Sequence, residues 1–437
     1  MSRFHLIEGM KHPLYLLTVL FLMPVLGQGQ GLNLLPAEEL AKYESVDVSS
    51  AGYAASLPSK DDMLKYAPPT LVQSGGTCVG FSTAYCAHST MINIATGTTN
   101  LLHKYLVSFD PYYIYSIVNS RLDDPCEKGL NFPVIFDAME QIGAMRDLFP
   151  PDLDCDFSWL DPATGEFDQD LEIYSAASMP FRISEYMQID LGREDALYTM
   201  RYLLANDIPV IIGAAVNDDF SPAAYGGQID KNGVWNYQAT NNGSMAGHAM
   251  CILGYDDQVA GGSFLVRNSW GEGFGLGGNF WLKYADVASV VAEAWCILPD
   301  FWEELTYKPN EYGFDLHDTG FEGIEYRRIE SRDGSSTYEG FAAKDVRVSA
   351  FEIYHNGGVY FGQWVNYVKD GWGVYWDEEG DAFNMFFRNG ELIDVETAGF
   401  GSSLTAGDAF MRDYVRGVVG DSDLEFTGSV PAAFVAE

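Results

Sequence analysis

Three short segments, far apart in the chain, constrain the fold most: Gln73-Ser74-Gly75-Gly76-Thr77-Cys78-Val79-Gly80-Phe81-Ser82, Ala246-Gly247-His248-Ala249, and Val266-Arg267-Asn268-Ser269-Trp270-Gly271. They supply a thiol at the head of a helix, an imidazole at the start of a strand, and an amide placed to orient that imidazole. To act together they must be brought face to face, so a helix from the first part of the chain has to meet strands from its middle.

A thiolate attacks carbonyl carbon far better than a thiol, and a helix N-terminus or an imidazolium stabilises its charge. Cys78 follows the Gly75-Gly76-Thr77 turn and starts the helix, in a Gly-rich stretch that reads as partly exposed. His248 is then the ion-pair partner and the acid that protonates a leaving amine. Asn268 can accept from the far ring nitrogen and fix the tautomer, with Trp270 shielding that bond from water. The Gln73 side-chain amide and the Cys78 backbone N–H can point at one oxygen, as an oxyanion hole requires. Taken singly, each residue has an ordinary reading: a core cysteine, a buried histidine, a tight turn. Their conjunction in one order carries the chemical reading.

The chain of 437 residues is long enough for two folded units or a large one with an appendage. Its 62 acidic against 25 basic residues, a formal charge of -37, argue against nucleic acid or an anionic membrane as the main partner. Near the N-terminus, Met10-Lys11-His12 precedes a short apolar run ending at Gly27, which reads as a signal peptide over residues 1–27 with Met10 as initiator. The expected location is therefore secreted, periplasmic or cell-surface, with no transmembrane segment after cleavage. Export permits disulfides. Cys126 and Cys155, in polar loops flanking a helical pattern, are the expected pair, whereas Cys86, Cys251 and Cys296 read as small buried residues. The remaining histidines show no ligand spacing, so no metal and no cofactor are expected.

Residues 28–56 read as a short extended lead-in. Residues 78–95 and 132–143 read as helices, and 193–206 as a third, running into the strand Ile208-Pro209-Val210-Ile211-Ile212-Gly213-Ala214. Further strands are expected at Ala249 to Leu253, Ser263 to Val266 and Asn279 to Leu282. Early helices and late strands give an α+β fold with two halves facing each other. Residues 300–330 read as a linker. Over 331–395 the aromatics Tyr338, Tyr360 and Phe383 recur at 22 and 23 residues, the mark of a stacked β-hairpin repeat. Residues 396–437 carry no motif.

In the order Gln, Cys, His, Asn-Ser-Trp-Gly, residues 57–299 resemble the papain-like cysteine peptidases, and Cys78-Val79-Gly80 is most similar to their bacterial branch. The resemblance implies a helical left lobe, a β-rich right lobe and a cleft between them. It assigns Cys78 as nucleophile, His248 as base, Asn268 as orienter and Gln73 to the oxyanion hole, with Gly129, Gly247 and Trp270 beside the substrate. The segment from Tyr360 to Tyr375 resembles a MORN repeat. Three features depart from the family pattern. Gln73 is one residue closer to the cysteine than usual. The cysteine that normally precedes the nucleophile is absent, and Cys126-Glu127-Lys128-Gly129 replaces the usual Cys-Asn-Gly-Gly. The lead-in is too short for a long inhibitory propeptide, so latency is expected to come from elsewhere. The resulting expectation is an exported peptidase acting on protein or peptide substrates, with a repeat module for a protein or surface partner. The alternatives are a binding or adhesion protein with an inactive papain-like scaffold, and acyl transfer in place of hydrolysis.

Overall fold

Apolar, β-branched runs in the middle of the chain form strands, and the small-residue run after Cys78 forms a helix. The computed structural model describes residues 31–48, 57–119, 126–146, 178, 181–239, 245–300, 314–318, 324–343, 348–378 and 381–397. The expected signal peptide, Cys155 and the C-terminal residues 398–437 lie outside the described residues. Among the described residues no helix is long and apolar enough to cross a membrane.

The helical layer comes first. Cys78–Gly80, Phe81–His88 and Ser89–Ala95 run on as one buried stretch whose middle is a π-helix, a form often found at functional sites. Helices Pro111–Val118 and Phe132–Gln141 pack beside it, each opened by a side-chain cap from Asp110 or Asn131. Gly80 permits the first of these contacts, since a Cβ there would fall 2.1 Å from the Pro111 carbonyl oxygen.

Strands β1 (Lys60–Asp62), β2 (Ile183–Gln188), β3 (Val210–Val216), β4 (Val234–Trp235), β5 (Ala246–Asp256), β6 (Ser263–Arg267), β7 (Asn279–Lys283) and β8 (Val291–Pro299) form one sheet in the order β2-β8-β3-β5-β6-β7-β4, with β1 on β5. Its central strands β3 and β5 are buried on both faces, and alternation sorts the side chains of the sheet. Ile211, Ala249, Cys251, Leu253, Trp295 and Ile297 join the core shared with the helical layer. Ile212, Ala214, Met250, Ile252, Ala294 and Cys296 join a second core. That second core is closed by helices Ala196–Leu204 and Tyr284–Val290, through Met200, Leu203 and Val287.

A second sheet follows: β9 (Phe314–Asp318), β10 (Ile324–Glu330), β11 (Ser336–Ala343), β12 (Val348–Tyr354), β13 (Val359–Val365), β14 (Val368–Trp376), β15 (Ala382–Arg388) and β16 (Glu391–Thr397), paired in sequence as an antiparallel meander. The stretch read as a linker therefore contains β9 and β10, because Phe314–Asp318 and Ile324–Glu330 complete the ladder on the open side of β11. The 22- and 23-residue period equals two strands. Tyr338, Glu352, Tyr360, Tyr375 and Phe383 stand opposite one another in a row across β11 to β15. The neighbouring row, Glu339, Phe351, Phe361 and Val374, points to the other face and is buried.

From that row Glu339 reaches the helical lobe. Its Oε1 accepts from Arg146 Nη2 at 2.7 Å and Nε at 3.1 Å, while Oε2 accepts from Arg328 Nη1 at 2.8 Å. Arg146 also donates to the Val107 carbonyl, and its guanidinium lies 4.7 Å from both the Phe109 and Phe181 ring centres. His103 bonds the Gly357 carbonyl across the same boundary. Arg146 and Glu339 are each 1% exposed, so neither charge has water as an alternative partner. Removing one partner of such a pair costs about 3–5 kcal/mol. Glu339→Leu is therefore expected to lower the urea unfolding free energy by about that amount, and Glu339→Gln by less because it still accepts from Arg146. Unchanged stability in Glu339→Leu would show that the pair does not hold the two sheets' layers together.

Candidate active site

Cys78 opens the helical stretch, and its Sγ accepts the backbone N–H of Ala249, on β5, at 3.4 Å. The Gly31 N–H also points at the sulfur. The thiol is 0% exposed, which corrects the expectation of a partly exposed turn. The lead-in is what covers it. A Cβ on Gly31 would fall 1.6 Å from the Gly76 carbonyl oxygen, so only glycine lets the lead-in lie this close to the turn before Cys78.

On β5, His248 is also fully buried. Its Nε2 lies 2.8 Å from Asn268 Oδ1, which requires Nε2 to carry the proton and leaves Nδ1 with its lone pair. Asn268 Oδ1 further accepts the Ser269 N–H at 2.8 Å. The Trp270 indole stacks on the imidazole, with ring centres 4.9 Å apart and 26° between planes. Phe220 closes the same pocket against Trp270 and His248.

The ion pair expected between Cys78 and His248 is not formed here, since His248 Nδ1 makes no hydrogen bond. Burial explains this. Loss of water pushes the Cys78 thiol up to about 11, against the smaller opposing pull of the Ala249 and Gly31 N–H groups. It pushes His248 down to about 4, with the Asn268 bond acting weakly the other way. Both groups are neutral near pH 7.

Gln73 is held by Ser269, the residue after the orienting asparagine. Ser269 Oγ donates to Gln73 Oε1 at 2.5 Å, the Gln73 N–H donates to the Ser269 carbonyl at 2.8 Å, and Gln73 Nε2 donates to the Gly75 carbonyl at 2.8 Å. This clamp ties the segment before Cys78 to the segment after Asn268 and sets the place of the Gln73 side chain.

The cleft between the lobes is filled by the chain itself. Leu32 pairs with Leu130 on the helical side and with Gly247 on β5. The Leu32 N–H donates to the Gly247 carbonyl at 3.2 Å, Asn33 N–H to the Leu130 carbonyl at 2.9 Å, and Leu130 N–H to the Gly31 carbonyl at 2.8 Å. Asn33 Nδ2 donates to the Gly129 carbonyl at 2.5 Å. Gly129 and Gly247 thus flank the lead-in, one on each bank. Latency was expected to come from somewhere other than the lead-in; short as it is, the lead-in bridges both banks here. The alternation of Leu32 and Leu34 around Asn33 was the available signal of a strand. Ser269 and Glu293, which lies beneath the lead-in, were also missed. A lone serine inside a motif and a lone glutamate inside an apolar strand carry no pattern.

Cys126 is disulfide-bonded, while Cys155 lies outside the described residues. The Cys126 carbonyl accepts the Gly76 N–H, so this loop also braces the turn before Cys78. Cys86, Cys251 and Cys296 are free and buried. Among the described residues no cluster of His, Cys, Asp or Glu is arranged to hold a metal.

Residues 172–296 match the family model described as papain family cysteine protease, a range that holds His248, Asn268 and Trp270 and begins after Cys78. An uncharacterized peptidase C1-like protein of Acanthamoeba polyphaga mimivirus is 27% identical over 170 residues, 38% of this chain and 50% of that protein. The chain thus spans half the length of this curated relative. Among solved structures, xylellain, a cysteine protease from Xylella fastidiosa, is 20% identical with a TM-score of 0.43, covering 62% of this chain and 97% of that one. The digestive procathepsin L2 proteinase of the Tenebrio molitor larval midgut is likewise 20% identical, with a TM-score of 0.44, covering 62% and 78%.

A thiol with its pKa near 11 has a thiolate fraction that rises about tenfold per pH unit below that value. Alkylation of Cys78 in the intact chain is therefore expected to climb steadily from pH 6 to 9 without a plateau. Leu32→Asp places a carboxylate in a buried apolar position and should release the lead-in, making labelling faster and flattening its pH profile. Mass spectrometry of the modified peptide reads both. A plateau below pH 8 in the intact chain would show the thiol already ionised and the burial argument wrong.

Proposed function

We propose that this chain is a papain-family cysteine peptidase that hydrolyses peptide bonds through Cys78, His248 and Asn268. The observation that carries the reading is the His248–Asn268 hydrogen bond beneath Trp270, on the strand whose next residue, Ala249, holds the Cys78 sulfur. That bond fixes the tautomer in which Nδ1 can take the thiol proton.

Once the lead-in leaves and water and substrate enter, the burial penalty on the charged forms falls, and the thiol proton passes to His248 Nδ1. The sulfur then attacks the peptide carbonyl carbon, and the oxygen gains negative charge near the Cys78 N–H and the Gln73 amide. His248 returns the proton to the nitrogen as the C–N bond breaks, releasing the amine and leaving a thioester. A water gives its proton to His248 and attacks the thioester carbon. Collapse releases the carboxylic acid and restores the thiol. Asn268 keeps the imidazole aligned through each transfer.

The finer readings belong to the same proposal. Cys78-Val79-Gly80 supports the bacterial branch. The disulfide at Cys126 supports an oxidising compartment, and so export. The two-strand period of β11 to β15 supports a MORN-like character for the C-terminal sheet, whose partner would be a protein or surface. The lead-in across the cleft supports a latent chain that becomes active when residues 31–35 are displaced.

In the Leu32→Asp background, hydrolysis of an unfolded protein substrate is expected to vanish with Cys78→Ala and to fall about 10²–10⁴-fold with His248→Ala. Hydrolysis that persists in Cys78→Ala would overturn the reading.

A further inference from the structure

Cys86 and Cys251 are buried thiols with no part in peptide hydrolysis, and they meet where the helical layer packs on the sheet. Ala249 and Cys251 stand two residues apart on β5, so both side chains face the helical layer. Cys86 lies on the π-helical segment Phe81–His88, which continues the stretch opened by Cys78. The two sulfurs are within hydrogen-bonding reach of each other. Both are free, and they are 3% and 0% exposed, whereas Cys126 of the same chain is disulfide-bonded.

Two features single this pair out from the other buried thiols. The first is a cation. Arg267 stands opposite Cys251 in the β5–β6 ladder, and its guanidinium donates to two neutral oxygens, Asn279 Oδ1 at 2.7 Å and the Pro68 carbonyl at 2.6 Å. Among the described residues no carboxylate pairs with it, so its charge is left to act on the sulfurs. Burial pushes both thiols up, but at Cys86 the contact with Cys251 and the Arg267 charge outweigh it and bring the thiol below its ordinary value, while Cys251 stays well above. Burial pushes Cys78 up to about 11 and Cys296 up to about 12. The second feature is access. A cavity of about 10 Å³ is lined by Cys86, Tyr85, Ala249, Arg267, Asn268 and Ser269. Space of that size takes a water molecule, so it suits a small polar oxidant and excludes a protein one.

We propose that Cys86 and Cys251 are a redox-active pair, which hydrogen peroxide oxidises to a disulfide that ties the helix opened by Cys78 to the strand that carries His248. Cys86 gives up its proton, and its sulfur attacks one peroxide oxygen. The O–O bond breaks, the departing hydroxide takes up that proton as water, and Cys86 is left as a sulfenic acid. The Cys251 sulfur then attacks the Cys86 sulfur. The S–S bond forms, the S–O bond breaks, and the hydroxide takes the Cys251 proton and leaves as a second water. Two electrons thus pass from the thiol pair to one peroxide, and a dithiol reductant returns them. The new bond closes a long loop between the helical layer and the sheet, which favours the folded chain. It also holds the Cys78 helix against β5 independently of the lead-in.

The test uses the full chain with its lead-in in place, which keeps Cys78 buried. Hydrogen peroxide is added at pH 7 in increasing amounts, the remaining thiols are alkylated in denaturant, and the peptides are mapped by mass spectrometry. The expected first product is a peptide cross-linked between Cys86 and Cys251, cleaved by a dithiol, with Cys78 and Cys296 still alkylated. The oxidised chain should show a urea midpoint higher than the untreated chain by about 0.5–1 M. Cys251→Ala is expected to lose the cross-link and hold Cys86 as a sulfenic acid that a cyclic 1,3-diketone traps, whereas Cys86→Ala should leave Cys251 a free thiol. If Cys86 and Cys251 both stay alkylatable at peroxide levels that oxidise Cys78 or Cys296, or if either is joined to a different partner, the proposal is overturned. A cross-link that leaves the urea midpoint unmoved overturns the tie between helix and strand. The map of the unsubstituted chain decides the pairing whether or not either variant folds.

Discussion

The alternation of side chains along β5 is the constraint from which the site follows. Successive residues of a strand point to opposite faces, so Gly247 and Ala249 face the helical lobe, where they meet the lead-in and the Cys78 sulfur. His248, between them, turns toward Asn268, Trp270 and Phe220. One strand thereby holds the Cys78 sulfur through the Ala249 backbone N–H and carries the imidazole that Asn268 meets. A shift of one residue in the β3–β5 register, where Gly213 stands opposite Ala249 and Ala214 opposite His248, would exchange the two faces and dismantle both at once.

Burial then sets the state of the chemistry. Both Cys78 and His248 are fully inaccessible, and each is driven toward its neutral form by lost hydration. Charge separation between them needs a more polar surrounding than the lead-in provides. The same few residues that exclude water also hydrogen-bond across the cleft to Gly247 and Leu130. Coverage of the cleft and suppression of the ion pair are thus one structural event, and removing the lead-in would reverse both together.

The parts of the site legible in the sequence are those whose chemistry forces a residue type at a fixed distance from another feature. Cys78 had to start a helix, and Asn268 had to follow a strand and precede an aromatic shield, so Cys78, His248 and Asn268 could be named as candidates from spacing. The long apolar strands and the helices at 78–95 and 132–143 were legible for a similar reason, since their periodicity records burial. What was not legible depends on contacts distant in sequence. The Ser269 clamp on Gln73 joins residues 196 positions apart. The lead-in shows its role only once Leu130 and Gly247 are placed on either side of it. Residues 314–330 lacked a clean alternation, yet two strands form there, because the open edge of β11 offers a hydrogen-bonding partner that a local pattern cannot reveal.

The sheet of β9 to β16 does not stand apart from the lobe that carries Cys78. Phe351, Phe361 and Val374 belong to the same contiguous core as Phe109, Phe136 and Ile297. The Arg146–Glu339 pair lies at that boundary, where a cut would leave a guanidinium between two aromatic rings with only the Val107 carbonyl to meet it. A chain ending at Pro299 would consequently expose apolar surface and an unpaired buried charge on the face of the helical layer. Loss of activity in such a truncation would then report on the stability of the lobe, and the work of the second sheet is better read by substitutions at its exposed residues, such as Tyr367 and Ile393.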